Sequence, residues 1–91
     1  MQVKFFATYR ELTHCNKLEL PAPAHVHALL WELSARFGRE MRDKLLSADG
    51  EALGQDAIVL VNGRHIVHLQ GLATPLDEQD TVAVFPLVAG G

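Results

Sequence analysis

The chain has 91 residues, 48% of them apolar and 21% charged, and eleven acidic side chains against eight Lys and Arg set its formal charge at −3. That apolar content argues against intrinsic disorder and is enough for one compact domain, which at this size buries little more than ~60% of its unfolded surface. The charge balance argues against a nucleic-acid partner, because the cations (Lys4, Arg10, Lys17, Arg36, Arg39, Arg42, Lys44, Arg64) are scattered and only Arg36 to Lys44 cluster mildly.

Gln2 to Ala7 is β-prone, with Val3, Phe5 and Ala7 on one face and Lys4 and Phe6 on the other. A polar connection over Arg10 to Asn16 leads to Lys17-Leu18-Glu19-Leu20, which alternates as a half-buried strand does, and Pro21 and Pro23 end it. Two strands this close predict a loosely connected antiparallel hairpin. Val26, Leu29, Leu30, Leu33 and Phe37 then recur at helical spacing, with Gly38 placed to terminate the helix. No Ser, Thr, Asp or Asn caps its start, and Trp31 falls off the apolar stripe, at the edge of the core.

Arg39 to Leu53 reads as a variable excursion in which Met41, Leu45 and Leu46 form a short helical turn. Ala57 to Val61 is an apolar, β-branched run closed by Asn62-Gly63, the dipeptide that a type I′ hairpin turn favours. Ile66 to Leu69 is the expected returning strand. Thr74 to Asp80 carries turn residues, and Thr81 to Phe85 is a last strand, with Val82 and Val84 on one face and Ala83 and Phe85 on the other. Pro86 ends it, and 87–91 is expected to be a flexible tail following a domain of residues 1–86. Five strands with one main amphipathic helix predict an α+β domain, a mixed sheet covered on one side. If the first and last strands pair, they run parallel, as in a β-grasp.

Five pieces stand in order along the chain: Val3-Lys4-Phe5-Phe6-Ala7, Arg10-Glu11-Leu12, Val61-Asn62-Gly63, Leu76-Asp77-Glu78-Gln79-Asp80-Thr81-Val82 and Phe85-Pro86-Leu87-Val88-Ala89-Gly90-Gly91. Together they resemble the small subunit of molybdopterin synthase (MoaD) and the wider MoaD/ThiS-like family of ubiquitin-like sulfur carriers. The match spans nearly the whole chain apart from Arg39 to Asp56. Two departures stand out: Leu87 replaces a second proline, and Gln79-Asp80 replaces a Gly-Asp pair.

The resemblance implies a β-grasp fold and a non-catalytic carrier, one subunit of a sulfurtransferase. Its working group is the carboxylate of Gly91. A carboxylate is a poor acyl donor until activated, and Gly90 and Gly91, lacking Cβ atoms, thread a narrow channel closed to other residues. A ubiquitin-activating-type adenylyltransferase is expected to spend ATP on the acyl-adenylate, and sulfur then replaces AMP to give a thiocarboxylate. The expected partners are that enzyme and the large subunit of molybdopterin synthase, which builds the dithiolene of the molybdenum or tungsten cofactor. No cofactor is expected on the carrier itself.

Strand parity turns Val3, Phe5, Val82 and Val84 towards the helix and leaves Phe6 and Phe85 on the open face. An exposed apolar patch of this kind marks a partner surface, and the resemblance places partner contacts on Phe6, Phe85, Pro86, Leu87, Val88 and Ala89. A metal centre is not expected. His25 and His27 are two apart at a helix start, His65 and His68 are assigned to opposite faces of a strand, and no spacing matches a zinc motif. Cys15 is alone, which precludes an internal disulfide. Asp77, Glu78 and Asp80 read as a solvated turn.

No apolar run approaches the ~20 residues of a membrane span, and Met1 to Phe6 lacks a signal-peptide pattern. The expectation is a cytoplasmic protein, monomeric when free. Alternative functions on the same fold are a modifier conjugated through Gly91 to lysines, a carrier for thiamine or tRNA thiolation, and an interaction domain with an idle diglycine.

Overall fold

The computed structural model describes residues 1–87. The first and last strands, β1 (Gln2–Phe5) and the C-terminal strand over Thr81–Pro86, lie side by side and parallel, with Val3 beside Val82 and Phe5 beside Val84. Between them in the chain come α1 (Thr8–Thr13), β2 (Lys17–Glu19), α2 (Val26–Phe37), α3 (Arg39–Leu45), β3 (Ala57–Val61) and β4 (Arg64–His65), so the last strand is β5. The sheet order is β2-β1-β5-β3-β4, antiparallel everywhere except at the β1–β5 seam. This mixed five-stranded sheet with one face covered by helices is a β-grasp.

The inward face follows from the pleat. Val3, Phe5, Val59, Val82 and Val84 are buried beneath Val26, Leu29, Leu30 and Leu33 of α2. Burying each such side chain contributes about 1.5–3 kcal/mol. The last residue of α2, Phe37, sets its ring edge-on to Phe5, with centroids 5.9 Å apart. Helix α2 ends at Gly38 as its spacing predicts, and its start does carry a cap: His25 Nδ1 accepts the Ala28 N–H at 3.1 Å. Trp31 stands at the core's edge, 43% exposed, with the Arg42 guanidinium 5.5 Å from its ring centroid.

Four expectations need correction. Ala7 does not continue β1; it turns out at φ 52° as α1 begins. The polar connection is not loose, because Thr8–Thr13 is a helix that buries Tyr9 and Thr13. Six residues are too few to show helical periodicity. The helical turn expected after α2 is a full helix, α3, which starts at Arg39 and ends before Leu46, with Met41 and Leu45 fully buried one turn apart. The returning strand is only Arg64–His65, and Ile66–His68 is a 3-10 turn in which His65 Nδ1 accepts the Val67 N–H. A side chain that bonds the backbone two residues on competes with strand pairing.

Three local devices fix the frame. Asn62 and Gly63 adopt φ of 51° and 85°, as a type I′ turn requires. The Asn62 amide then bridges to β5, donating to Asp80 Oδ1 at 2.8 Å and accepting the Thr81 N–H at 3.0 Å. Gly54 lies against the backbone of Lys44 and Leu45 and donates its N–H to the Leu45 carbonyl at 2.8 Å.

A Cβ at Gly54 would overlap the Lys44 carbonyl. Gly54→Ala is therefore expected to cost about 1–3 kcal/mol by overpacking, lowering the urea midpoint with an unchanged slope. A second expectation concerns Tyr9. Burial, and then the nearby Asp56 carboxylate, push its phenol up to about 12. A raised folded-state pKa means stability that is complete below the unfolded value of about 10 and lost as pH climbs towards the folded one. Tyr9 is the sole tyrosine, so tyrosinate absorbance should stay low past pH 10 while the fold holds. Tyr9→Phe should flatten the alkaline loss of stability; a native-state midpoint near 10 would contradict this.

Candidate functional site

The open face of the sheet takes its residues from the outward parity of each strand. Beyond the end of β1, the Phe6 N–H donates to the Val84 carbonyl at 3.2 Å, which keeps Phe6 alongside β5. Its ring meets Phe85 nearly perpendicular, centroids 4.6 Å apart, and Phe6 remains 40% exposed. Edge-to-face pairs of this kind add about 0.5–1.5 kcal/mol beyond their burial. Ile58 of β3 stands opposite Phe85, and Leu60 opposite Ala83. The segment after α2 does not fold back over Phe6.

The patch continues towards the C-terminus. Pro86 pairs with Ala57 as the last residue of β5 and is partly exposed. Leu87, assigned to the tail by sequence, is 54% exposed but still tied to the sheet by its N–H, which donates to the Asp56 carbonyl at 2.6 Å. Phe6, Phe85 and Leu87 are thus gathered at one end of the sheet, while Pro86 has the parity of Val82 and Val84 and stands on the other side, by Tyr9 and Gly54. Val88, Ala89, Gly90 and Gly91 lie outside the described residues.

The chemistry-bearing residues elsewhere have local structural roles. Asp77 and Asp80 cap their own turn, with Asp77 N–H on Asp80 Oδ2 and Gln79 N–H on Asp77 Oδ1. Glu78 accepts the Ala22 N–H. Asp49 is held below the usual carboxylate range by hydrogen bonds from the Glu51 N–H and the Ser47 hydroxyl. His27 Nε2 lies 2.6 Å from the Gly50 carbonyl. The assignment of His65 and His68 to opposite faces of a strand fails because His68 is in the 3-10 turn; their rings are 6.5 Å apart. Among the described residues no group of three or more His, Cys, Asp or Glu is placed to hold a metal ion. None of their helices is long and apolar enough to cross a membrane.

Two features escaped the sequence reading. One is a groove of about 430 Å³ beside the chain's exit, lined by Tyr9, Lys44, Gly54, Asp56 and Pro86. The other is a concentration of cations, since Lys4, Arg10 and Lys17 line one depression with Phe6 instead of being scattered. Parity held the clue to the second, because Lys4 shares the outward face of β1 with Phe6.

The ThiS family profile matches residues 3–91 of the chain. Small archaeal modifier protein 3 of Haloferax volcanii is 40% identical over 93 residues, spanning 100% of this chain and 98% of the relative. A protein of Archaeoglobus fulgidus described as a candidate sulfur carrier is 38% identical over 66 residues, 72% of this chain and 73% of its own length. Among solved structures, small archaeal modifier protein 1 of Methanosarcina acetivorans superposes with a TM-score of 0.85 at 28% identity, covering 99% of this chain and 94% of that one. With its parallel β1–β5 seam and a match over nearly its whole length, the chain belongs to the ThiS family of ubiquitin-like sulfur carriers.

Proposed function

We propose that this chain delivers sulfur as a thiocarboxylate on Gly91 and docks on its enzymes through the open sheet face. The observation that supports this most directly is the edge-to-face pair of exposed Phe6 and half-buried Phe85, with Leu87 two residues on and four residues before Gly91 in the sequence. A carrier needs two things from its fold: a rigid surface that an enzyme grips, and a reactive end close to that grip. The grip surface lies at the end of the sheet from which Leu87 follows β5, and in the sequence only four further residues lead to Gly91.

In the proposed cycle the Gly91 carboxylate attacks the α-phosphorus of ATP on a ubiquitin-activating-type enzyme, and pyrophosphate leaves. A sulfide-level nucleophile then displaces AMP from the acyl carbon. Gly90 and Gly91, lacking Cβ atoms, let the enzyme close around the backbone. The acceptor step we assign to this carrier is molybdopterin synthesis, in which the large subunit of the synthase takes the sulfur for dithiolene formation. The chain is then the delivered substrate and the large subunit the catalyst.

A second reading has its own support, the full-length identity of 40% to an archaeal modifier protein. In that case the activated Gly91 is transferred to lysine amines of target proteins, forming an isopeptide.

Intact mass of the protein recovered from its native host separates these readings. Replacement of one oxygen by sulfur at Gly91 is the expected result for the carrier, whereas Gly-Gly remnants on lysines of other proteins would favour the modifier. Deleting Gly91 should abolish molybdopterin formation without moving the thermal midpoint, and a deletion variant that still supports it would remove the mechanism. Phe85→Ala should weaken binding to the large subunit by about 2 kcal/mol, some 30-fold, as loss of an aromatic anchor does. The domain should remain folded, and equal affinity by calorimetry would exclude Phe85 from the interface.

A further inference from the structure

On the β2 side of Phe6 the open face changes character. Lys4 and Lys17 stand directly opposite each other in the β1–β2 register. Like charges directly opposite on adjacent strands destabilise a sheet. Arg10 reaches the same place from α1, and the three line a depression of about 340 Å³ with Phe5, Phe6 and Asn16. All three cations are exposed.

Among the described residues none of the three is in an ion pair; the salt bridges involve the Met1 amino group, Arg39 and Arg42. Glu19, the nearest acid along β2, instead accepts a hydrogen bond from Gln2 Nε2 at 3.0 Å. Three cations gathered on a chain of net charge −3 therefore form a local positive field that the fold itself does not neutralise.

We propose that the Lys4–Arg10–Lys17 depression is the acid-reading half of the docking face, receiving a carboxylate-bearing segment of a partner protein whose apolar residue rests on Phe6 and Phe85. The reading rests on the docking surface proposed above and adds the chemistry of what docks. Phe6 supplies the continuity, since its ring belongs both to the depression and to the aromatic pair. A protein segment with acidic and apolar residues matches that mixture. A nucleic acid would need a longer basic track, and the acidic balance of the whole chain opposes a polyanionic backbone. Exposed charges at an interface rim act mainly by steering association and rejecting wrong partners.

Two measurements decide the matter. The first titrates isotope-labelled protein with a hexaglutamate peptide at low salt and follows backbone amides by NMR. Saturable shifts are expected at residues 4, 6, 10, 16 and 17. They should vanish in a Lys4→Glu/Lys17→Glu double variant and persist in an Arg36→Glu/Arg39→Glu control. Absence of shifts there, or tighter binding of inorganic phosphate or oligouridylate at the same residues, would overturn the carboxylate assignment.

The second uses the adenylating enzyme of the same cell. The double variant should raise the carrier's KM about tenfold with kcat unchanged, and the gap should close as added salt screens the charges. An unchanged KM would sink the proposal. If the wild-type chain is not adenylated at all, the proposed function falls, and the peptide titration alone decides this inference. Lys17→Glu by itself should leave the thermal midpoint equal or higher, because it replaces a cross-strand repulsion by an attraction. A clear loss of stability would make Lys17 a structural residue and reverse the conclusion.

Discussion

The parallel seam between β1 and β5 is the constraint from which the rest of the molecule follows. It joins residues near the two ends of the chain, Gln2 with Thr81 through Phe5 with Val84, so the segments between are held as one loop closed by a single pairing. The register decides which side chains go inside. A slip of one residue would turn Val82 and Val84 outward and bring Ala83 and Phe85 beneath α2. Burial of Val3, Phe5, Val82 and Val84 opposes that slip, and on the other edge of β5 the Asn62 bridge to Asp80 and Thr81 fixes its start against β3.

Covering the sheet on one side only is the second consequence of this order. Helices α2 and α3 pack on the same face, with Leu29, Leu30 and Leu33 from one and Met41 and Leu45 from the other. The opposite face carries a ridge of aromatic and aliphatic groups and, beside it, the three cations. What the fold leaves uncovered is therefore organised, with an apolar part near the chain's exit and a charged part towards β2.

Much of this was legible in the sequence where the physics is local and repetitive. Helix α2 shows its stripe over three turns, and its observed limits coincide with the spacing and with Gly38. The Asn62-Gly63 turn and the parity of β1 and β5 are readable for the same reason, and parity puts Phe6 and Phe85 on one face; their contact follows only once the first and last strands are neighbours, which periodicity does not show. Helix α1 was not legible, because six residues with one large buried side chain, Tyr9, carry no period. The strand expected over Ile66 to Leu69 was misread because β-branched composition does not reveal that His65 will bond the backbone of Val67. The cation cluster was invisible to any count along the chain, since Lys4, Arg10 and Lys17 converge only through the hairpin register and the presence of α1. The groove beside Pro86 depends on the close approach of Gly54 to Lys44, a tertiary contact with no local signature.

The pleat of β1 also separates two kinds of selection within four consecutive residues. Val3 and Phe5 answer to the core, and substitutions there are judged by folding. Lys4 and Phe6 answer to whatever meets the open face, and changes there leave the interior untouched. A lineage of such domains can thus exchange partners by rewriting alternate positions of one strand while keeping the scaffold constant. Diversification of recognition then needs no passage through unstable intermediates.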